Sequence, residues 1–291
     1  MEAERIGIVG LGLIGGSLAL ALQRARPGIR IIGVDSDDRT RIVAVGENAV
    51  YTAWSLEEAP LAECDLVVLA VPAEPLLAIL PQVVARMRPG TILTDVCGAK
   101  ERICAAGEQQ GRVIFVGGHP MAGTEYRGFV AAHPALFRGC TVAVCPPVGG
   151  GNASARVAAV QRVRQLWTDA GAEKLLDLTP AAHDQAVTFA SHLPYLAAAA
   201  VVEALHDSSE AGLAAELAAG GFRDTTRLAG DGTISGAAAL NRFVPEAARS
   251  LAKTLRELAD LIDSDAAGAL ERLGQLAEER RKMKLPRQAN R

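Results

Sequence analysis

Aromatic residues are scarce, at 4% of the 291-residue chain, so the stacking platforms that grip single-stranded nucleic acid are not expected. Neither sign of charge dominates: 30 Lys and Arg stand against 33 Asp and Glu, for a net charge of −3 and a pI near 6.0. That balance argues against general binding to nucleic acid or to an anionic membrane surface. Cysteine is limited to Cys64, Cys97, Cys104, Cys140 and Cys145, an odd number with no C-x-x-C pair. Neither a disulfide framework nor a bound metal is expected, and free thiols fit a reducing cytoplasm. A net positive charge is missing ahead of the apolar run 6–22, which follows the net acidic Met-Glu-Ala-Glu-Arg. The run therefore reads as a strand and a helix rather than as a signal peptide. Pro72, Pro75 and Pro81 interrupt the next long apolar stretch, and no uninterrupted membrane span is expected.

What is present is enough apolar material, 49% of residues, to fill a real core. Over the first 150 residues it comes as short runs bounded by Gly, Pro or Asp, at 6–9, 31–34, 66–71, 91–94, 113–116 and 141–144. Runs of this kind predict strands buried on both faces, and helix-length segments between them predict a parallel sheet wrapped by helices. A Gly/Pro loop at 146–152 leads to a predicted helix at 153–170 and a short strand at 174–178. From Pro180 onward the strand signal stops. Residues 181–205 are apolar nearly all round, which predicts a helix buried on every side and kinked at Pro194. Ala248, Leu251, Leu255, Leu258 and Ile262 form one later helical stripe, and Ala266, Leu270, Leu273 and Ala277 form another. Asp263 and Asp265 near the start of the last helix, and basic residues near its end, suit its dipole. The basic run Arg280, Arg281, Lys282, Lys284 and Arg287 reads as a solvated helix end and tail.

The expected organisation is an α/β domain over residues 1–179 and an all-α domain over residues 180–291, with no internal repeat and no separate regulatory domain. The helical part carries more apolar surface than one small domain covers, so a homodimer is expected.

Gly10-Leu11-Gly12-Leu13-Ile14-Gly15 follows the first predicted strand and opens a helix. Gly10 permits a tight turn, Gly12 lets the backbone approach a pyrophosphate, and Gly15 lets helix and strand pack closely. The helix N-terminus offers N–H groups and a positive dipole end to phosphates. The second strand ends at Asp35, twenty residues after Gly15, where a carboxylate meets the adenosine ribose hydroxyls. A glycine-rich turn beside a surface aspartate is the bland alternative. Strand, turn, helix, strand and acid in register outweigh it and mark a Rossmann-type dinucleotide-binding domain. A carboxylate at Asp35 accepts hydrogen bonds from a ribose diol and repels a 2′-phosphate, which favours NAD over NADP. Arg39 and Arg41 are expected on the next helix. Leu13, Ile14, Val71, Pro72 and Asp95 complete the candidate cofactor set.

Gly117-Gly118-His119-Pro120-Met121-Ala122-Gly123-Thr124 follows the predicted strand 113–116 and is expected as a loop leaving the C-terminal ends of the strands, on the cofactor side. A lone loop histidine usually satisfies loop hydrogen bonds. The position of His119 at the cofactor edge points instead to catalysis.

Together with Thr94-Asp95-Val96, His183-Asp184, Ser191-His192-Leu193-Pro194 and Gly220-Gly221-Phe222-Arg223-Asp224-Thr225-Thr226-Arg227, these strings make the chain resemble the prephenate/arogenate dehydrogenase family over almost its whole length. The resemblance implies a cyclohexadiene substrate bearing a ring hydroxyl, a ring carboxylate and a three-carbon side chain. It implies oxidation with loss of CO2, on the route to tyrosine. His119 matches the family's catalytic histidine, which accepts the proton of the ring hydroxyl while hydride passes to nicotinamide; a neutral imidazole suits that role. Arg227 matches the substrate-anchoring arginine, whose guanidinium can grip a carboxylate through two parallel hydrogen bonds. Thr124 and His192 match positions lining the substrate pocket, and Arg223 stands where the family tends to place a basic residue. Read without the resemblance, Arg227 could equally be a helix-end arginine paired with Asp224, and His183 and His192 would be buried structural groups.

The chain departs from the family at three places. Gly98 stands where many relatives have serine, Tyr195 replaces a second histidine, and the tryptophan commonly found downstream of the arginine is absent near Gly236. These departures bear on prephenate against arogenate preference and on feedback by tyrosine. Two other readings compete. A β-hydroxyacid dehydrogenase would carry a lysine on the long helix, and residues 181–206 contain none. A non-catalytic dinucleotide sensor would need neither His119 nor Arg227.

Overall fold

The computed structural model describes residues 4–124, 126–148 and 152–284. Eight strands form one sheet: β1 (Arg5–Val9), β2 (Arg30–Val34), β3 (Thr52–Trp54), β4 (Leu66–Leu69), β5 (Ile92–Asp95), β6 (Ile114–Pro120), β7 (Thr141–Cys145) and β8 (Lys174–Asp177). Their spatial order is β3-β2-β1-β4-β5-β6-β7-β8. Five helices flank it: α1 (Leu13–Ala25), α2 (Asp38–Gly46), α3 (Ala73–Arg86), α4 (Glu101–Gln109) and α5 (Ala153–Asp169). Alternate side chains of one strand serve two cores. Leu66 and Val68 pack with Leu18, Leu22 and Trp167 on one face. Val67 and Leu69 pack with Leu76, Leu80 and Ile103 on the other. Burial on both faces is why these strands read as continuous apolar runs.

The sheet departs from the predicted pattern in three ways. A short edge strand, β3, was not predicted; it has three residues and a partly exposed Trp54. The sheet is not wholly parallel, because β6 and β7 run antiparallel. β6 also continues past residue 116, so His119 lies on a strand rather than in a loop, paired with Ala143. Gly-Gly-His-Pro has poor strand propensity, and the backbone of β7 overrides it. The two glycines are sterically required: a Cβ on Gly117 would meet Cys104 Sγ at 2.6 Å, and one on Gly118 would meet the Asp95 carbonyl at 2.6 Å.

The last strand ends at Asp177, and helices begin at Pro180 behind Thr179, whose hydroxyl accepts from the Ala182 N–H. α6 (Pro180–Val187) runs into a π turn at Thr188–His192 and on into α7 (Leu193–His206). Pro194 does not break this helix. Its missing N–H and its ring disfavour the ordinary bond to the carbonyl four residues back, and the wider turn just before it absorbs the conflict. There follow α8 (Ala211–Glu216), α9 (Gly220–Thr226), a tight turn at Arg227–Gly230, α10 (Gly232–Leu240), α11 (Val244–Ser264) and α12 (Ala266–Lys282). Asp265 caps α12 by accepting from the Gly268 N–H.

The expectation of a helix buried on every side is not met within one chain. Ala198 is the one buried residue of α7, and Val201 and Val202 stay about two-fifths exposed. Contrary to the sequence expectation, Pro180–His206 is long and apolar enough to cross a membrane by length and composition. Its His183, Asp184, Thr188 and His192 are nevertheless buried and hydrogen-bonded within the protein. The basic helix end is solvated, with Arg281 and Lys282 beside Glu278; Arg287 lies outside the described residues.

Candidate active site

Gly10 has φ +93°, and a Cβ there would strike the Ala70 carbonyl at 2.5 Å, so only glycine makes this turn. A Cβ on Gly15 would lie 1.9 Å from the Gly10 carbonyl, whereas one on Gly12 would meet nothing within 4 Å. The space beside Gly12 is thus open to a ligand while the turn around it is tight. Leu13 and Ile14 open α1, which has no side-chain cap and no acidic residue in its first turn. Its N–H groups and dipole can therefore serve an anion. Asp35 closes the other end of the cradle: its carboxylate accepts from the Leu11 N–H at 2.8 Å and the Asp37 N–H at 3.0 Å. Arg39 and Arg41 both lie on α2. Arg41 is turned back onto the Asp35 carbonyl and the Asp38 carboxylate. Val71 and Pro72 lead from β4 into α3. These groups fit a dinucleotide without a 2′-phosphate.

Asp95 is placed differently from an open cofactor ligand. It is wholly buried at the end of β5. One oxygen accepts from the Gly118 N–H at 3.0 Å; the other accepts from the Cys97 N–H at 2.9 Å and pairs with the Lys100 ammonium. Contrary to the sequence expectation, its carboxylate is therefore engaged within the protein rather than open to a cofactor.

A chain of hydrogen bonds fixes His119. Asp184 accepts from the Lys100 N–H at 2.7 Å and the Glu101 N–H at 3.0 Å, anchoring α6 to the start of α4. Burial pushes the Asp184 carboxyl up, but His183 and these two N–H groups outweigh it and hold it below its ordinary value. An ionised carboxylate only accepts, so the His183 Nδ1, 2.8 Å from Asp184, carries a proton. With His183 in its neutral form, the lone pair lies on Nε2, 2.9 Å from His119 Nδ1. In that form His119 donates there, and its own Nε2 is the acceptor. Burial, His183, Lys100 and His192 together hold His119 well below the ordinary histidine value. Its Nε2 faces Gly98, where a Cβ would come within 3.6 Å. The arrangement is a neutral imidazole whose outer nitrogen lies beside Gly98, in the loop that follows β5.

His192 joins the same cluster from the π turn. The Asn241 amide is oriented by its oxygen accepting from the Phe243 N–H. Its nitrogen therefore donates, to the Asp184 carbonyl at 2.8 Å and to His192 Nδ1 at 3.0 Å. Burial is the main reason that His192 is pushed down to about 4. With Nδ1 accepting, the proton of the neutral ring lies on Nε2.

The other candidates do not enter this network. Thr124 is exposed and accepts from the Tyr126 N–H. Arg223 and Arg227 are exposed on α9 and on the turn after it, and that turn packs against α7. Among the described residues Arg227 has no ion pair, Asp224 included. His183, Asp184, Asn241 and Lys100 were not picked out from sequence as site residues. Adjacent His-Asp on a helix was the available signal for the first two. Nothing in sequence marked the others.

Residues 18–176 match the family model for prephenate dehydrogenase, nucleotide-binding domain, and residues 179–275 match that for prephenate dehydrogenase, dimerization domain. The chain is similar to the prephenate dehydrogenase of Bacillus subtilis, 33% identical over 230 residues that make up 78% of this chain and 60% of that protein. It spans about 60% of the length of that relative and of the Lactococcus lactis one. Among solved structures, Synechocystis arogenate dehydrogenase aligns with TM-score 0.76 and 33% identity, over 95% of this chain and 98% of that one. A prephenate dehydrogenase from A. aeolicus in complex with hydroxyphenyl propionate and NAD+ aligns with TM-score 0.87 and 27% identity, over 98% and 99%.

Proposed function

This chain belongs to the prephenate dehydrogenase family, and we propose that it converts prephenate to 4-hydroxyphenylpyruvate with NAD, on the route to tyrosine. The observation that carries this reading is the Asp184–His183–His119 chain, in which His119 Nε2, beside Gly98, can serve as the acceptor. His119 Nε2 accepts the proton of the ring hydroxyl as that carbon is oxidised. NAD, when bound, supplies the hydride acceptor. The bond to the ring carboxylate breaks, its electrons complete the aromatic ring, and CO2 leaves. Arg227 holds a substrate carboxylate, with Thr124, Arg223 and the His192 Nε2–H as further pocket groups. Asp35 sets the cofactor preference. Asp35→Ser is expected to weaken NAD use and relax discrimination against NADP. A wild-type protein with higher kcat/KM for NADP contradicts this part of the reading.

A second substrate is favoured by a specific observation. The Synechocystis arogenate dehydrogenase shares 33% identity over nearly its full length, and this chain has Gly98 and Tyr195 where many relatives carry serine and histidine. Arogenate differs from prephenate by an amino in place of a side-chain keto group. Turnover of purified protein with NAD, followed by NADH absorbance, is compared on the two substrates. Higher kcat/KM on prephenate supports the first reading, higher on arogenate the second, and no turnover on either rejects both.

We further read the protein as a homodimer, because its apolar helical surface coincides with the region matched to a dimerization domain. Its five cysteines are free, which suits a cytoplasmic location.

A further inference from the structure

We propose that Lys100 is a positioning residue for His119, holding its strand from one side and its imidazole relay from the other; the inference rests on reading His119 as the base. Lys100 is wholly buried, as is Asp95. Its ammonium pairs with Asp95 and donates to the Gly118 carbonyl at 2.8 Å. Asp95 in turn accepts from the Gly118 N–H at 3.0 Å. Both polar groups of the residue that precedes His119 are therefore held by one ion pair. The backbone N–H of the same Lys100 donates to Asp184 at 2.7 Å, and Asp184 orients His183, which orients His119. One residue thus ties together β5, β6, α4 and α6 at the point where the base must be aimed.

A charge buried this deeply is costly unless it is paired and hydrogen-bonded, and a lysine here is far more demanding than an apolar side chain of the same length. Fixing the peptide behind His119 is what the ammonium adds. Its charge also bears on the base. His183 and His192 face His119 from the helical part, and Lys100, paired with Asp95, faces it from the sheet. Burial comes first in keeping His119 unprotonated, and His183, Lys100 and His192 add to it. Burial pulls the Lys100 ammonium down, but Asp95, Cys104 and Cys97 carry it above its ordinary value, so it stays charged.

The test uses Lys100→Met and the double variant Asp95→Asn with Lys100→Met. The double variant leaves no uncompensated carboxylate and is expected to fold even where the single variant does not. Two readouts separate positioning from general stability. In folded variant, kcat is expected to fall by roughly 10–100-fold with little change in NAD affinity, the scale of a misaimed base. The titration of His119, followed by NMR in histidine-labelled protein and assigned with His119→Asn, is expected to move up in Lys100→Met, which loses a nearby cation, and to move less in the double variant, which loses cation and carboxylate together. That titration does not depend on turnover, so it survives if the assigned substrate is wrong. A folded variant with wild-type kcat and an unmoved His119 titration overturns the proposal. Loss of folding in both variants also overturns it, since Lys100 would then serve the fold alone.

Discussion

His119 Nδ1 lies 2.9 Å from His183 Nε2, with the two rings inclined at 64°. This contact bears on which nitrogen of His119 carries its proton, and Asp184 bears on its direction through His183. Asp184→Asn keeps the shape but presents an amide whose orientation no longer requires a proton on His183 Nδ1. The tautomer chain then loses its sign, and kcat is expected to fall at least about 10-fold, a part of the roughly 10²–10⁴-fold that a positioned base contributes. The same change weakens the contact with the Lys100 and Glu101 N–H groups, so the melting temperature should drop as well. Steady-state kinetics on the folded fraction, checked by circular dichroism, measure the first effect apart from the second. Unchanged kcat in that fraction would show that Asp184 serves only to cap α4.

Arg227 is exposed and has no ion pair among the described residues, so its removal should cost little stability. Arg227→Ala is expected to raise KM for the substrate by an amount matching about 2–5 kcal/mol for a lost charge-assisted pair. Arg227→Lys should recover only part of this, because an ammonium cannot make the forked contact. Melting temperatures within the usual range of a surface change should accompany both. A large stability loss with unmoved KM would return Arg227 to a structural role.

Acid should destabilise the fold before the carboxylates titrate. His192 ordinarily titrates at 6.5, but burial brings it to about 4 in the folded chain. Between those values the unfolded chain binds a proton that the folded chain refuses. Stability is therefore complete above pH 6.5 and falls as pH drops toward 4. His119, also depressed by burial, adds in the same direction. Thermal melts from pH 7.5 to 4.5 should show the decline, and His192→Gln should flatten it. A melting temperature that stays level through this window contradicts the burial assigned to His192.

The apolar faces left open on the last two helices point to a second copy of the chain. Leu255 and Ile262 on α11 are 58% and 57% exposed, and Leu270 on α12 is 76% exposed. Large exposed apolar patches of this kind mark association surfaces. Light scattering at micromolar concentration is expected to give a dimer mass, and Leu255→Glu with Leu270→Glu should shift it toward the monomer. A monomer mass for the wild type removes the claim.

Much of the α/β part was legible because its signals are local. The glycine turn, the buried apolar runs and Asp35 each follow from short-range sterics and burial, and the structure gives Gly10 and Gly15 the constraints read from their spacing. The extension of β6 through His119 was not legible, since it depends on β7, more than twenty residues away. The exposure of α7 was misread for a related reason. Apolar character all round a helix announces burial but does not say in which chain. The polar network was the least legible. Lys100 lies 84 residues from Asp184, His183 64 residues from His119, and Asn241 57 residues from Asp184, so no window along the chain could join them. Arg227 remained ambiguous between a pair with Asp224 and an open cation until its surroundings were seen.

The central claim is that His119 is the base, and the kcat of His119→Asn with prephenate and NAD tests it most directly. Asparagine fills much of the same space and can still donate toward His183, so the fold and NAD affinity should be kept. The account expects kcat to fall by roughly 10²–10⁴-fold while NAD binding, measured separately by fluorescence titration, barely moves. Near-normal kcat in the folded variant would contradict it.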